Sequence, residues 1–290
     1  MLNSWLEDLS AEHLEEKSNG IPPFVVPNVI EKDVPSDDDW WPSVAQAVWD
    51  DVAVLLPWNM YQSSGDAEVL RRQYKSMTTW VDKGVQRGSD GLWDPDLWQL
   101  GDWLDPAAPP DDPIQGRTDG TLVADAYLVH VTSILAKASA VLDLKEDAER
   151  YRADHNRLVA TFQQKYISPV GLLTSDTQTA LSLGIVFSLF TTPEQEAKAA
   201  QRLARAVRMS RFRVATGFTG TPIITHALTR ICEPQLAYRM LLEKDCPSWM
   251  YPITQGATTI WERWNSMIVD ENGKQSINPG EMTSYVLVSL

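Results

Sequence analysis

The chain has 290 residues, 43% of them hydrophobic, and a formal net charge of −14. That size and apolar content are enough for one large core or two small ones. The acidic balance argues against nucleic acid and anionic membrane surfaces as partners, because they call for a basic surface to neutralise phosphates.

No run approaches the ~20 apolar residues of a membrane span. Residues Met1 to Ser10 include Glu7 and Asp8 and lack the charged and apolar regions of a signal peptide. Localisation therefore stays open. Trp5, Leu6 and Leu9 open a first helix, which the polar stop Ser18-Asn19-Gly20 ends. Pro22, Pro23, Pro27 and Pro35 then hold an extended connection. Val44, Ala47, Val48, Val52 and Leu55 mark a helix that stops before Pro57. Asp66 caps the next, with a buried stripe of Leu70, Tyr74, Met77 and Val81.

From Lys83 to Asp119 the periodicity is lost in sequence rich in Gly, Pro, Asp and Trp; so long a loop in a compact domain is usually functional. Helices resume at about Thr121–Leu142 and Glu146–Tyr166, and a third, at about Gln178–Leu189, is apolar nearly all round and so buried. Thr192-Pro193-Glu194-Gln195 is a capping box that opens a helix to about Met209. Shorter helices follow at about Pro222–Arg230 and Pro234–Glu243. With short returns, no convincing strand runs and no repeat of fixed period, the pattern is all-α, built of stacked αα-hairpins.

Histidines and cysteines add little chemistry. His130 shares a stripe with Val123, Tyr127, Ile134 and Ala138, and His155 one with Tyr151, Val159 and Phe162; both read as packed helix residues. Cys232 and Cys246 lack metal-ligand spacing and read as two buried thiols, their redox state open. Asp37, Asp38 and Asp39 form a solvated run ahead of a helix start. No metal or other cofactor is expected.

The tryptophans are unevenly placed. Trp5, Trp40, Trp41, Trp49, Trp58, Trp80, Trp93, Trp98 and Trp103 lie in the first part, Trp249, Trp261 and Trp264 near the end, and none between Leu104 and Ser248. Trp5, Trp49 and Trp80 sit on predicted helices and read as core. Trp98, Trp103, Trp261 and Trp264 are candidates for a sugar platform, since an indole face suits sugar C–H groups. In Gly256-Ala257-Thr258-Thr259-Ile260-Trp261-Glu262-Arg263-Trp264 one carboxylate stands between a tryptophan and an arginine. Those are the parts that a sugar site needs, though a surface ion pair beside core tryptophans would read the same way.

That stretch, with Cys246-Pro247-Ser248-Trp249-Met250-Tyr251-Pro252 before it, resembles the catalytic domain of α-L-rhamnosidases of glycoside hydrolase family 78. Other segments match in the same order. They are Asn19-Gly20-Ile21-Pro22, Pro57-Trp58-Asn59-Met60-Tyr61, Gly65-Asp66, Leu100-Gly101-Asp102-Trp103-Leu104, Thr216-Gly217-Phe218-Thr219-Gly220-Thr221-Pro222 and Asn278-Pro279-Gly280-Glu281-Met282-Thr283-Ser284. The resemblance runs from about Trp5 to Ser284 and is nearest to the fungal branch.

The resemblance implies an (α/α)6 barrel over residues 1–290, incomplete at about ten of twelve helices, and the family's β-sandwich domains are missing. It implies an inverting glycosidase that removes terminal α-L-rhamnose from glycosides, with Glu262 as general base. Asp102, Trp103, Trp98, Trp261, Arg263 and Trp264 would bind substrate. Asp102 has two further readings: a substitute acid, or a residue that ties down its own loop. The family's acidic general-acid motif and its Phe-Asn-His-Tyr have no counterpart here; Tyr285 to Leu290 follow Ser284. The expectation is a chain truncated at both ends and inactive alone. A catalytically dead carbohydrate-binding remnant and an α/α-toroid scaffold are the alternatives; the oligomeric state stays open.

Overall fold

The computed structural model describes residues 1–28, 45–109, 111–269 and 274–277. The expectations for Pro35, Asp37–Asp39, Trp40, Trp41, Val44 and the segment from Asn278 onward lie outside them. The chain divides into two compact units, Met1–Leu100 with Ala124–Lys165, and Gly101–Val123 with Tyr166–Leu290.

In the first unit, α1 (Leu2–His13) buries Leu6, Leu9 and His13 and packs with α2 (Val52–Ser64) and α3 (Glu68–Thr79). The neutral His13 ring is satisfied at both nitrogens, bonding Ser76 Oγ and the Gly20 carbonyl, each at 2.8 Å. α1 itself stops at His13, short of the predicted Ser18-Asn19-Gly20, and the left-handed Asn19 and Gly20 instead end a 3-10 turn at Glu16–Ser18. Gly84 presses on it so closely that a Cβ would lie 2.0 Å from the Gly20 carbonyl oxygen, and only glycine fits.

Pro57 does not end its helix. Residues 45–51 are not helical, because the buried carboxylates of Asp50 and Asp51 accept the backbone N–H groups of Gln46 and Val48, each at 2.7 Å. Val48 is held at φ +74°. Such side-chain bonds compete with the helix that the apolar spacing suggests. The helix starts only at Val52, so Pro57 falls inside it, where it removes a single hydrogen bond. Asp51 also accepts Trp80 Nε1 at 2.8 Å, and burial pushes its carboxyl up to about 6.

α3 buries Leu70 and Met77 as expected, and Asp66 accepts the Glu68 N–H at 2.9 Å. α4 (Gly120–Val141) begins in the second unit and continues into the first, followed by α5 (Lys145–Tyr166). Among the described residues α4 alone is long and apolar enough to cross a membrane, but 78% of that window is covered by protein. Its Asp125 is fully buried, accepts the Trp93 N–H at 2.9 Å and pairs with Lys165 at 2.9 Å. Trp93, in loop-like sequence, is thereby core, against Trp80 at 6.0 Å.

In the second unit α6 (Gln178–Val186) is buried from Gln178 to Ile185 and capped by Thr177, which accepts the Ala180 N–H. α7 (Pro193–Met209) opens at the predicted box, with Thr192 accepting the Gln195 N–H. α8 (Ile224–Arg230) packs on α6 and on α9 (Pro234–Leu241); α10 (Met250–Thr254) is a short helix that periodicity does not reveal. Cys232 is exposed rather than buried, since it leaves α8 in the left-handed conformation, and Cys246 is half-buried. One small hairpin departs from the all-helix expectation: β1 (Met267–Val269) pairs antiparallel with β2 (Gln275–Ile277), Ile268 opposite Ser276. Three-residue strands are too short for alternation to show. The fold is otherwise all-α, with ten α-helices among the described residues, the number expected.

Candidate functional site

The second unit is organised around Asp102. Gly101, at φ +61°, turns the chain ahead of it. The Asp102 carboxylate is 1% exposed and takes four protein donors. Oδ1 accepts the N–H groups of Thr219 and Gly220, both at 3.0 Å, and Oδ2 accepts Gly217 N–H at 2.9 Å and the Thr179 hydroxyl at 2.5 Å. Burial pushes this carboxyl up to about 6, against the pull of those donors toward the charged form.

The segment 216–221 is wrapped onto 101–105 at backbone contact. A Cβ on Gly217 would stand 2.2 Å from the Trp103 carbonyl oxygen. Phe218 N–H donates to that same oxygen at 2.8 Å, and the Thr219 hydroxyl to the Gly101 carbonyl at 2.8 Å. Two of the ordered sequence segments, Gly-Asp-Trp and Thr-Gly-Phe-Thr-Gly-Thr, are therefore halves of one knot. Of the readings open to Asp102, the geometry fits the loop tie. Its four acceptor positions are occupied and none faces solvent, so it reaches neither a sugar hydroxyl nor a leaving oxygen.

Asp105, three residues on, is also buried and was not singled out by sequence. It pairs with Arg117 at 2.6 Å and accepts the backbone N–H groups of Arg117 and Ala107. The signal available was its place in the same Gly-Asp-Trp-Leu-Asp run.

The Trp261–Trp264 segment is built differently. Arg263, 4% exposed, donates to the Ala108 carbonyl at 2.8 Å, which ties this segment to the loop that carries Asp102. Trp261 is 8% exposed and meets the Tyr251 ring edge-on at 6.3 Å; Trp264 meets Trp249 edge-on at 5.7 Å. Tyr251 in turn donates to the Met267 carbonyl at 2.9 Å, so the β-hairpin braces this aromatic cluster. Between two buried neighbours, Glu262 is only part-buried. Trp103 and Trp264 keep part of their indoles open, whereas Trp261 is mostly covered.

Trp98 belongs to the first unit and is 42% exposed. Its backbone is fixed by two glutamines that cross-link segments 45–47 and 98–100. Gln46 donates to the Trp98 carbonyl at 3.1 Å and accepts Leu100 N–H at 2.8 Å; Gln99 accepts Ala47 N–H at 2.9 Å and donates to the Ala45 carbonyl at 3.1 Å. The indole is thus presented to solvent from a rigid backbone. Among the described residues no cluster of His, Cys, Asp or Glu could hold a metal ion.

Helical hairpins with such loops between them are the architecture of a six-hairpin glycosidase domain. The profile of the bacterial alpha-L-rhamnosidase 6 hairpin glycosidase domain matches residues 1–287, and the chain belongs to that family. The crystal structure of native alpha-L-rhamnosidase from Aspergillus terreus superposes with a TM-score of 0.89 at 40% identity, over 98% of this chain and 31% of that one. The Streptomyces avermitilis alpha-L-rhamnosidase complexed with L-rhamnose does so with a TM-score of 0.78 at 31% identity, over 98% and 25%. An alpha-L-rhamnosidase of Formosa agariphila is 31% identical over 97% of this chain and 28% of its own length. The chain thus spans less than a third of the length of these relatives.

Proposed function

We propose that this chain is part of the hydrolytic domain of an inverting α-L-rhamnosidase, which releases terminal α-L-rhamnose by attack of water. The observation that carries the reading is the Trp261–Trp264 segment. The Arg263 side chain ties it to the Ala108 carbonyl, and Glu262 stays part-exposed between the buried Trp261 and Arg263. A general base must be held in place, ionised and within reach of water, and Glu262 meets the geometric part of that requirement. It would take a proton from the water that attacks the anomeric carbon, while a second carboxyl group, ~6.5–9.5 Å away, protonates the leaving oxygen. Trp103 and Trp264, and Trp98 in the first unit, offer indole surface for sugar C–H groups. The reaction so drawn uses water and two carboxyl groups, and no cofactor enters it.

Asp102 is not that second group, because it is closed and saturated. Residues 1–290 by themselves are accordingly expected to leave rhamnosides intact. The experiment compares this chain with a version extended at both ends on an activated aryl α-L-rhamnoside. Turnover by the extended chain alone fits the reading. Equal turnover by both would place the acid within these 290 residues and overturn the inactivity. No turnover by either, with rhamnose still quenching tryptophan fluorescence, would favour the carbohydrate-binding remnant.

A further inference from the structure

The second unit also holds an open cleft of about 830 Å³, within the ~300–1,000 Å³ range of small-molecule sites. Its walls are the start of α4, the end of α5, the turn that leads into α6, and the end of α7. We infer that this cleft binds a neutral, hydroxyl-rich ligand, the sugar part of a glycoside, using Asp119, Thr174 and Ser175 for hydroxyls and Met209 for the C–H face. The inference rests on the reading of the chain as a glycosidase domain.

The charge balance selects the ligand class. Three charged side chains line the cleft, and the cationic one, Arg117, is already paired. Arg117 is paired with Asp105 at 2.6 Å, Asp176 with Arg202, and one oxygen of Asp119 accepts the Leu122 N–H at 2.9 Å. Two helix starts and two helix ends border the space, so their opposed partial charges offset. An anionic ligand would lose its water here without gaining an unpaired counter-charge.

Hydroxyls are served better. The second Asp119 oxygen and the Thr174 hydroxyl have no hydrogen-bond partner among the described residues, and both line the space. Thr177 joins the walls: its hydroxyl bonds that of Thr118 at 2.7 Å and caps α6, which holds the α4 and α6 starts together before any ligand arrives. Met209 is 71% exposed at the rim, apolar surface on which a sugar's C–H groups can rest.

The test follows the Met209 methyl carbon by NMR in the full chain labelled at methionine methyls, its signal assigned through Met209→Leu. A neutral rhamnose-terminated trisaccharide should shift that signal saturably. Glucuronate and inorganic phosphate should leave it in place. Ala206→Trp, which fills the cleft from a half-exposed position, and Thr174→Arg, on an exposed one, should each weaken the response at least tenfold with the melting temperature retained. Glu262→Gln should leave it unchanged. No saturable shift with the trisaccharide, a response that survives both filling variants, or a shift with phosphate or glucuronate in place of the sugar would each overturn the assignment. Hydrolysis by the extended chain is read separately. Turnover with a silent Met209 sinks the cleft alone, and a responding Met209 without turnover sinks the hydrolytic reading alone.

Discussion

Asp102 and Glu262 both sit in motif-like sequence beside a tryptophan, yet the structure treats them as opposites. Asp102 is fully enclosed and takes four donors, three from one glycine-rich loop. Glu262 is part-buried between the buried Trp261 and Arg263. A carboxylate that organises backbone gives up its lone pairs to do so. One that moves a proton has to keep a face open to water. Adjacent residue types do not distinguish the two roles, but burial does.

The largest expected effect separates them directly. In the extended chain Glu262→Gln should lower turnover by ~10²–10⁴, the range for losing a general base, with melting temperature and substrate affinity little changed. Near-normal turnover would remove Glu262 from the reaction.

Asp102→Asn should do the reverse. Its amide nitrogen would face N–H donors in the knot, and one buried donor left unpaired costs ~1–3 kcal/mol. The midpoint of urea unfolding should fall accordingly, while the turnover of the folded extended chain stays close to that of the parent. A stable variant with lost turnover would make Asp102 part of the chemistry after all.

A smaller effect concerns the indoles. Trp98→Ala and Trp103→Ala should each weaken rhamnose binding by about 1 kcal/mol, roughly fivefold, because they keep exposed faces. Trp261→Ala should mainly destabilise, since that ring is covered. Fluorescence titration beside thermal melts would show if the order is inverted.

The smallest effect is a pH slope in the first unit. Burial holds the His13 imidazole below its usual 6.5. The unfolded chain therefore binds a proton that the native one refuses, and stability falls as pH drops through about 6.5 toward the depressed native value. His13→Gln should lower stability at every pH yet flatten that slope. An unchanged slope between pH 7 and 5 would assign it to other histidines.

Much of this was written in local sequence. The helix starts at Pro193 and Pro234 and the all-round apolar α6 follow from propensity, capping and periodicity, which need only neighbours a few residues away. The site-bearing segments were legible as motifs, and the ordered run of them named the family. Contacts between residues far apart were not legible. Nothing near Asp102 says that Gly217, Thr219 and Gly220 will close on it across more than a hundred positions. A buried polar group must find its partner wherever the fold brings one, so only tertiary structure decides which of two similar carboxylates is enclosed by backbone donors and which stays part-exposed.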